Sequence, residues 1–557
     1  MNYLFKYTAE VLKKYDFDEK EVLEILETPN ANMGDVALPC FKFAKTLKKS
    51  PVMIAEELQK KITDANLLEV KAINGFLNFF YKPNFIAKYL LENSNLSQSE
   101  IAKNSGFLGK TMLIEHTSTN PNASPHVGRA RNAIIADCLV RVCRFLGWKT
   151  DVHYYVNDMG KQIAMIVYAT KNLKKVTFDA ILKIYIDINQ QLKDNPEIEK
   201  EVFNLLYKFE SGDKETVKMF HDAVETCVKG QIAIYNKLGI YWDKFDYESK
   251  YIDEHITDEV LEKLKQTNKL FKDENNRWVL NQKDEPIGIE NPMLVLTRQD
   301  GTSLYGLRDI CYSIDKAKLN PDKNLIVLGE DQKVYFKQIS AALKLLGYKA
   351  PEVVHYSFIL LPSGKMSTRN GTVVLLEDFM REIEEKCDEV IKEKRGKSDK
   401  QKAKIVGYGA LKYGILKSSP DKNVIFDWNS ALNFDGNSSV YSQYNYARIN
   451  SILNKATVDY QKADYSVLTT PEEIALIKQL GVFEDTLLSV YNNLNPSGLT
   501  TYVFNLTSKF SQFYSTQKIL NCPDEKLKIA RLNLIQKVGQ TIKDCLFLLG
   551  IDTVDEF

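Results

Sequence analysis

The sequence predicts an α/β protein: a parallel sheet interrupted by a helical insertion, an α+β unit before it and an all-α bundle after it. Three observations predict this. Residues 111–156 read strand, loop, helix, strand; sheet patterns resume at PMLVL and NLIVLGED after a charged helical stretch; and from Ser430 the pattern is helical to the end. At 557 residues the chain is too long for one core, so three to five compact units are expected.

The elements follow in order. The first stretch, to about Ser105, mixes helical periodicity with short apolar runs and closes on AINGFLNFFYK, whose alternating aromatics predict a strand. Gly106 and Gly109 punctuate the chain, and TMLIEH is an apolar run of strand length. A polar loop from Thr117 to Pro125 leads to a helix in which Ile134, Cys138, Val142 and Phe145 share a face, with Gly147 as its stop signal. KTDVHYYV is the next strand, which completes a βαβ unit of a Rossmann-type nucleotide-binding sheet. Helical, charged sequence then fills the expected insertion at about 166–290. VVHYSFILLP reads as a further strand, and a long helix from about Glu377 runs into the basic stretch IKEKRGKSDKQKAK. The expected units are 1–106, 107–360, 361–435 and 436–557.

Composition excludes several classes. Apolar content of 44% and charged content of 26% are those of a soluble globular protein, and no apolar run is long enough to span a bilayer. The N-terminus reads as a charged amphipathic helix rather than a signal peptide, so a cytoplasmic protein is expected. Eight scattered cysteines without a C-x-x-C pair point to reduced, packed thiols and away from a disulfide framework or zinc ribbon. A net charge of +1 neither demands nor excludes a nucleic-acid partner.

Two short motifs carry the chemistry. His126-Val127-Gly128-Arg129 sits where the loop meets a helix N-terminus, whose unpaired N–H groups and dipole favour an anion. His126 adds a donor, Gly128 lets a planar base approach the backbone, and Arg129 offers a fork suited to phosphate. Lys365-Met366-Ser367-Thr368-Arg369 lies in a loop bracketed by Gly364 and Gly371, able to close over a polyphosphate and set Lys365 and Arg369 against developing negative charge. Alone, the first motif reads better as a surface histidine and a solvated arginine, and the second reads equally well as a basic surface loop.

Longer segments decide between these readings. The first motif resembles the H-I-G-H motif of class I aminoacyl-tRNA synthetases, and the second resembles their K-M-S-K-S motif in its M-S-T-R form. IEHTSTNPNASPHVGRARN, HYYVNDMGKQ, SLYGLRDI and GNSSVYSQYNYARINSIL resemble arginyl-tRNA synthetase segments in the same order. NMGDVALPCFKFAKTLKKSPVMIAEEL resembles that family's N-terminal tRNA-contacting domain, and LFLLGIDTVDEF its ending.

The resemblance implies a two-step ligation: arginine is activated by ATP to an adenylate with release of pyrophosphate, then transferred to the terminal adenosine of its tRNA. It implies that His126, Arg129, Lys365 and Arg369 act on the reacting phosphates, and that Gly128, Met366 and Ser367 join them in holding ATP. Glu115 and Asn120 match the positions that bind the substrate's ammonium and carboxylate; Tyr305, Asp309 and Gln332 match the guanidinium pocket. Tyr305 and Asp309, four residues apart, share a helix face. An always-charged guanidinium with five donors needs such a carboxylate and further acceptors. Mg²⁺ is expected with ATP, held by phosphates and water rather than by a protein cage. The C-terminal bundle is implied to bind the anticodon through Tyr441, Tyr444 and Arg448, in a segment that also holds Tyr446; aromatic rings and arginine planes commonly stack unpaired bases. A monomer that engages tRNA, arginine and ATP, without a membrane partner, is expected.

The sequence departs from the family pattern in three places. Arg129 stands where His is usual, Thr368 where many class I enzymes carry Lys, and Asn122-Ala123-Ser124-Pro125 lacks the Lys that often compensates. Arg129, Lys365 and Arg369 are expected to supply that charge. Another class I synthetase and a non-catalytic tRNA-binding paralogue stay open as alternatives.

Overall fold

The run AINGFLNFFYK, read as one strand, is a hairpin. A computed structural model describes residues 2–30, 32–173, 176–361, 364–365, 374–433 and 435–557. In it α1 (Tyr3–Lys13), β1 (Val36–Pro39), α2 (Pro51–Lys61), β2 (Leu67–Ile73), β3 (Phe76–Tyr81) and α3 (Pro83–Asn93) build the N-terminal unit around an antiparallel sheet of order β1-β3-β2. Asn74 (φ +50°) and Gly75 (φ +84°) form the turn between β2 and β3. Two consecutive positive φ angles suit the right-handed twist of a tight hairpin, and Asn-Gly adopts them at low cost.

The βαβ unit forms as expected. β4 (Thr111–Glu115), α4 (Val127–Phe145) and β5 (Lys149–Val156) are followed by the helices α5 (Lys161–Thr170), α6 (Phe178–Asp194), α7 (Pro196–Glu210) and α8 (Lys214–Lys237). Gly147 at φ +97° lies just beyond α4. The expected insertion also contains β6 (Lys244–Tyr247), which pairs in parallel with β5 as an edge of the main sheet. PMLVL does not rejoin that sheet: β9 (Met293–Val295) pairs instead with β8 (Trp278–Asn281), which pairs with β7 (Leu270–Lys272), in a small antiparallel sheet. α9 (Tyr305–Lys318), β10 (Lys323–Gly329), α10 (Lys333–Leu345) and β11 (Glu352–Tyr356) complete the parallel sheet, of order β11-β10-β4-β5-β6. Chain order reverses between β4 and β10, which makes their carboxyl ends the switch-point crevice where such sheets bind ligands.

VVHYSFILLP is two strands rather than one. After β11 the chain breaks at Ser357-Phe358, and β12 (Ile359–Leu361) joins β13 (Gly364–Lys365) and β14 (Val424–Ile425) in a separate sheet. The break is pinned by Arg131 of α4, which is fully buried and donates to the carbonyls of Ser357 (2.5 Å), Ser419 (3.0 Å) and Lys422 (2.7 Å).

α11 (Leu376–Arg395) ends at Gly396 in the left-handed conformation, so the basic stretch divides and its second half starts α12 (Lys400–Leu416). The bundle then follows: α13 (Ser439–Asn454), α14 (Pro471–Gly481), α15 (Phe483–Asn493), α16 (Ser497–Thr516) and α17 (Glu525–Leu548). α4 is buried along most of its length, because the sheet covers one side and the helices that follow cover much of the other; Arg129 and Arg144 stay exposed. One apolar core therefore runs from α1 through α4 to α17. At about 1.5–3 kcal/mol per buried large apolar side chain, this continuity makes α4 a rigid post for the motif at its start. Among the described residues no helix is long and apolar enough to cross a membrane. The cysteines are free thiols, all buried except the half-buried Cys522.

Candidate active site

The flanks of the two motifs meet at the start of α4. The Val127 N–H donates to the Val374 carbonyl at 3.1 Å, and the Leu376 N–H donates to the Pro125 carbonyl at 2.8 Å. The chain that leaves the second motif is thus stitched to the residues that enter the first. Lys365 lies on β13; its side chain, with Met366, Ser367, Thr368 and Arg369, falls outside the described residues.

His126 caps α4 with extended backbone (φ −86°, ψ 159°), so its carbonyl enters the helix while its side chain stays beside the first turn. Its imidazole rests on Gly128: a Cβ there would lie 2.9 Å from Nδ1. Gly128 therefore makes room for the His126 ring. Burial, with the Arg129 charge adding to it, pushes the His126 pKa down to about 4, so the ring is neutral at physiological pH. Arg129 is exposed.

The loop between β4 and α4 is strained and tightly held. Thr117 (φ +72°) and Ser118 (φ +40°) occupy left-handed backbone, which costs a β-branched residue about 1–3 kcal/mol. Asn132 of α4 accepts from the Thr117 N–H at 2.7 Å and donates to the Val327 carbonyl at 2.8 Å, which ties the loop to β10. Gln231 holds the carbonyls of Asn120 (2.9 Å) and Ala123 (2.8 Å), while the Asn120 amide donates to Gln162 at 3.2 Å. Glu115, at the end of β4, is 4% exposed and accepts from Lys316 Nζ.

Across the crevice, α9 presents an exposed Tyr305 at its first position and Asp309 half-buried one turn later. Tyr335 of α10 donates its hydroxyl to Asp309 Oδ2, and its ring lies 5.2 Å from that of Tyr305. Burial is the main cause that lifts the Asp309 carboxyl to about 7; the Glu248 charge adds to it, and the Tyr335 hydrogen bond opposes it. Glu248, 1% exposed, accepts from Arg308 Nε at 2.5 Å, and its Oε2 has no hydrogen-bond partner among the described residues; the same holds for the buried Tyr155 hydroxyl. The Asp309 carboxyl and the unpartnered Glu248 Oε2 and Tyr155 hydroxyl suit a cationic, donor-rich guest. Gln332 is exposed in the short turn after β10 and donates to Asp331 at 3.1 Å.

Tyr335, Glu248 and Lys316 carry no signal in the sequence that marks them as site residues. Tyr335 reaches Asp309 from a different helix, and Glu248 follows a strand hidden in an apparently helical stretch. Only the pairing of KFDY with β5 exposes Glu248 as a strand-end carboxylate.

A second feature lies in the bundle. Tyr444, Arg448, Tyr514 and Phe557 line a cavity of about 580 Å³. The Arg448 guanidinium lies 4.7 Å from the Tyr444 ring centre and 5.0 Å from that of Tyr514. Tyr441 is half-buried and packs near Phe504 at 6.0 Å, while Tyr446 is buried in the bundle core.

The chain is similar to known proteins along its whole length. Residues 89–428 match the model of the class I (R) tRNA synthetase catalytic domain, 442–557 the DALR anticodon binding domain, and 3–81 the arginyl tRNA synthetase N-terminal domain. An arginine–tRNA ligase of Methanocaldococcus jannaschii is 38% identical over 98% of this chain and 96% of its own. One from Clostridium perfringens is 34% identical over 99% of each chain. The fold also matches the solved Thermus thermophilus arginyl-tRNA synthetase, with a TM-score of 0.82 at 24% identity over 100% of this chain and 99% of that one. With its catalytic-domain match over more than half its length and relatives this similar end to end, the chain belongs to the arginyl-tRNA synthetase family.

Proposed function

We infer that the protein is an arginine–tRNA ligase that forms arginyl-adenylate from arginine and ATP, then transfers arginine to the terminal adenosine of its tRNA. The observation that carries this reading is Asp309, held by Tyr335 at the switch point of a parallel sheet with Glu248 close by. A carboxylate whose charge is disfavoured when alone gains most from a permanent cation. The guanidinium of arginine is such a cation, and its five donors match Asp309, Tyr305, Gln332 and the vacant acceptors of Glu248 and Tyr155.

In this reading Glu115 and Asn120 hold the amino-acid end at the loop before α4. The arginine carboxylate attacks the α-phosphorus in line, a phosphorus–oxygen bond to pyrophosphate breaks, and the ribose hydroxyl later displaces AMP from the acyl carbon. The protein needs no covalent nucleophile; positioning and charge stabilisation suffice. Neutral His126 offers a hydrogen bond without charge, the α4 N-terminus offers partial positive charge, and Arg129, Lys365 and Arg369 supply the full charges. Gly128, Met366 and Ser367 complete the nucleotide-binding wall. Mg²⁺ comes with ATP, held by phosphate oxygens and water.

The bundle of 436–557 takes the anticodon, with Tyr444 and Arg448 stacking bases at the cavity and Tyr441 contacting RNA beside it. The N-terminal unit of 1–106 touches tRNA elsewhere, and 361–435 forms the stem-contact region. The protein works as a monomer in the cytoplasm. Pyrophosphate exchange into ATP, measured with arginine and tRNA present, tests the activity. Exchange is expected with arginine; none, with tRNA binding intact, would leave a non-catalytic paralogue.

A further inference from the structure

We propose that Lys316 is a positioning residue for the amino-acid end of the substrate: it fixes Glu115 so that the second carboxylate oxygen meets the arginine ammonium. The proposal rests on the reading of Glu115 as the ammonium partner. Lys316 is 1% exposed and donates to Glu115 Oε2, which leaves Oε1 facing the loop, 3.5 Å from the Ser118 hydroxyl. A carboxylate has acceptor sites on both oxygens, so one can be spent on a permanent partner while the other receives a ligand. A carboxylate buried this deeply is costly without a counter-charge, and Lys316 supplies one.

The lysine is itself held in place. Its ammonium lies 4.2 Å from the centre of the Tyr312 ring, a cation–π contact. Tyr312 cannot turn: it stacks on Tyr155 at 4.2 Å and 8°, and its hydroxyl donates to Asp246, which also binds His153 Nδ1 at 2.6 Å. Tyr305, Asp309, Tyr312 and Lys316 are spaced four, three and four residues apart, so they form one stripe along α9. One helix face thus sets both ends of the amino acid, the guanidinium directly through Asp309 and the ammonium indirectly through Lys316 and Glu115.

The test compares arginine with 5-guanidinopentanoic acid, which lacks only the ammonium. In aminoacylation assays, KM for arginine and the inhibition constant of the analogue are measured for the wild type, Lys316→Met, Lys316→Arg and Glu115→Gln. Lys316→Met is expected to raise KM for arginine about 10–100-fold and to leave the analogue's constant within about threefold, so that discrimination collapses. Lys316→Arg restores most of it, which a purely structural role would not require. Should Lys316→Met fold poorly, Lys316→Gln, which keeps a donor without the charge, is measured in its place with the same collapse expected. Unchanged discrimination in Lys316→Met, alongside collapse in Glu115→Gln, overturns the proposal. Tighter arginine binding in Lys316→Met also overturns it, since Lys316 would then compete with the substrate. If Glu115→Gln also discriminates normally, the underlying reading of Glu115 fails instead.

Discussion

The Tyr335 hydroxyl and Asp309 Oδ2 are joined by a hydrogen bond that bridges α10 and α9 across the mouth of the candidate arginine pocket. α10 follows β10 of the parallel sheet whereas α9 follows β9 of the small antiparallel sheet, so this bond ties two separately positioned helices together and orients the carboxylate. Tyr335→Phe keeps the ring against Tyr305 and removes only the donor. It is expected to raise KM for arginine about tenfold with little change in kcat, as steady-state aminoacylation would show.

Arginine binding should depend on pH through Asp309. Its carboxyl titrates near 7, and the guanidinium requires the ionised form, so affinity falls as pH drops from 8 to 6. Isothermal titration with arginine across that range checks this, and Asp309→Asn should bind weakly with a flat profile. The stability sign is opposite. A carboxyl raised from 3.8 to about 7 contributes stability below its unfolded pKa that is lost as pH rises through 7. Asp309→Asn should therefore gain stability relative to the wild type above pH 7, read as the difference in urea midpoint at pH 6 and pH 8.

Arg131 is the fully buried strut between α4 and the chain that leads to the second motif. Lys422, Ser419 and Ser357 each give it a carbonyl. Arg131→Met leaves these acceptors without their donor, and the expected cost is about 3 kcal/mol or more in urea unfolding. A loss below about 1 kcal/mol would contradict its role as a strut.

Gly128→Ala separates helix stability from activity. Alanine in place of glycine favours a helix by up to about 1 kcal/mol, yet the added Cβ would lie 2.9 Å from His126 Nδ1 and displace the ring. Thermal stability should hold or rise, while the aminoacylation rate falls about tenfold.

At the bundle cavity, Tyr444→Ala or Arg448→Ala should raise KM for tRNA about tenfold and leave KM for arginine unchanged, the size expected when one stacked base loses its platform.

The parts of the fold legible in the sequence were those with local period or punctuation. α4 announces itself through Ile134, Cys138, Val142 and Phe145, and Gly147 ends it. The strand from Lys149 to Val156 follows as expected. Non-local competition explains the misreadings. VVHYSFILLP is one apolar run, but Arg131, distant in sequence, draws the Ser357 carbonyl inward and breaks it in two. KFDY is too short to stand out from the helices around it, and only its pairing with β5 makes it a strand. The Asn74-Gly75 turn is legible in principle, yet the aromatic run that follows it, Phe76 to Tyr81, dominates the pattern. In the site, the stripe of Tyr305 and Asp309 is visible from its spacing. Tyr335, Glu248 and Lys316 are not, because each acts through a partner on another element.

The most direct test of the central claim is aminoacylation of total tRNA by the purified protein, with ATP and each amino acid supplied separately. The account predicts charging with arginine alone. Charging with another amino acid would contradict the Asp309 pocket, and no charging despite tRNA binding would contradict the ligase itself.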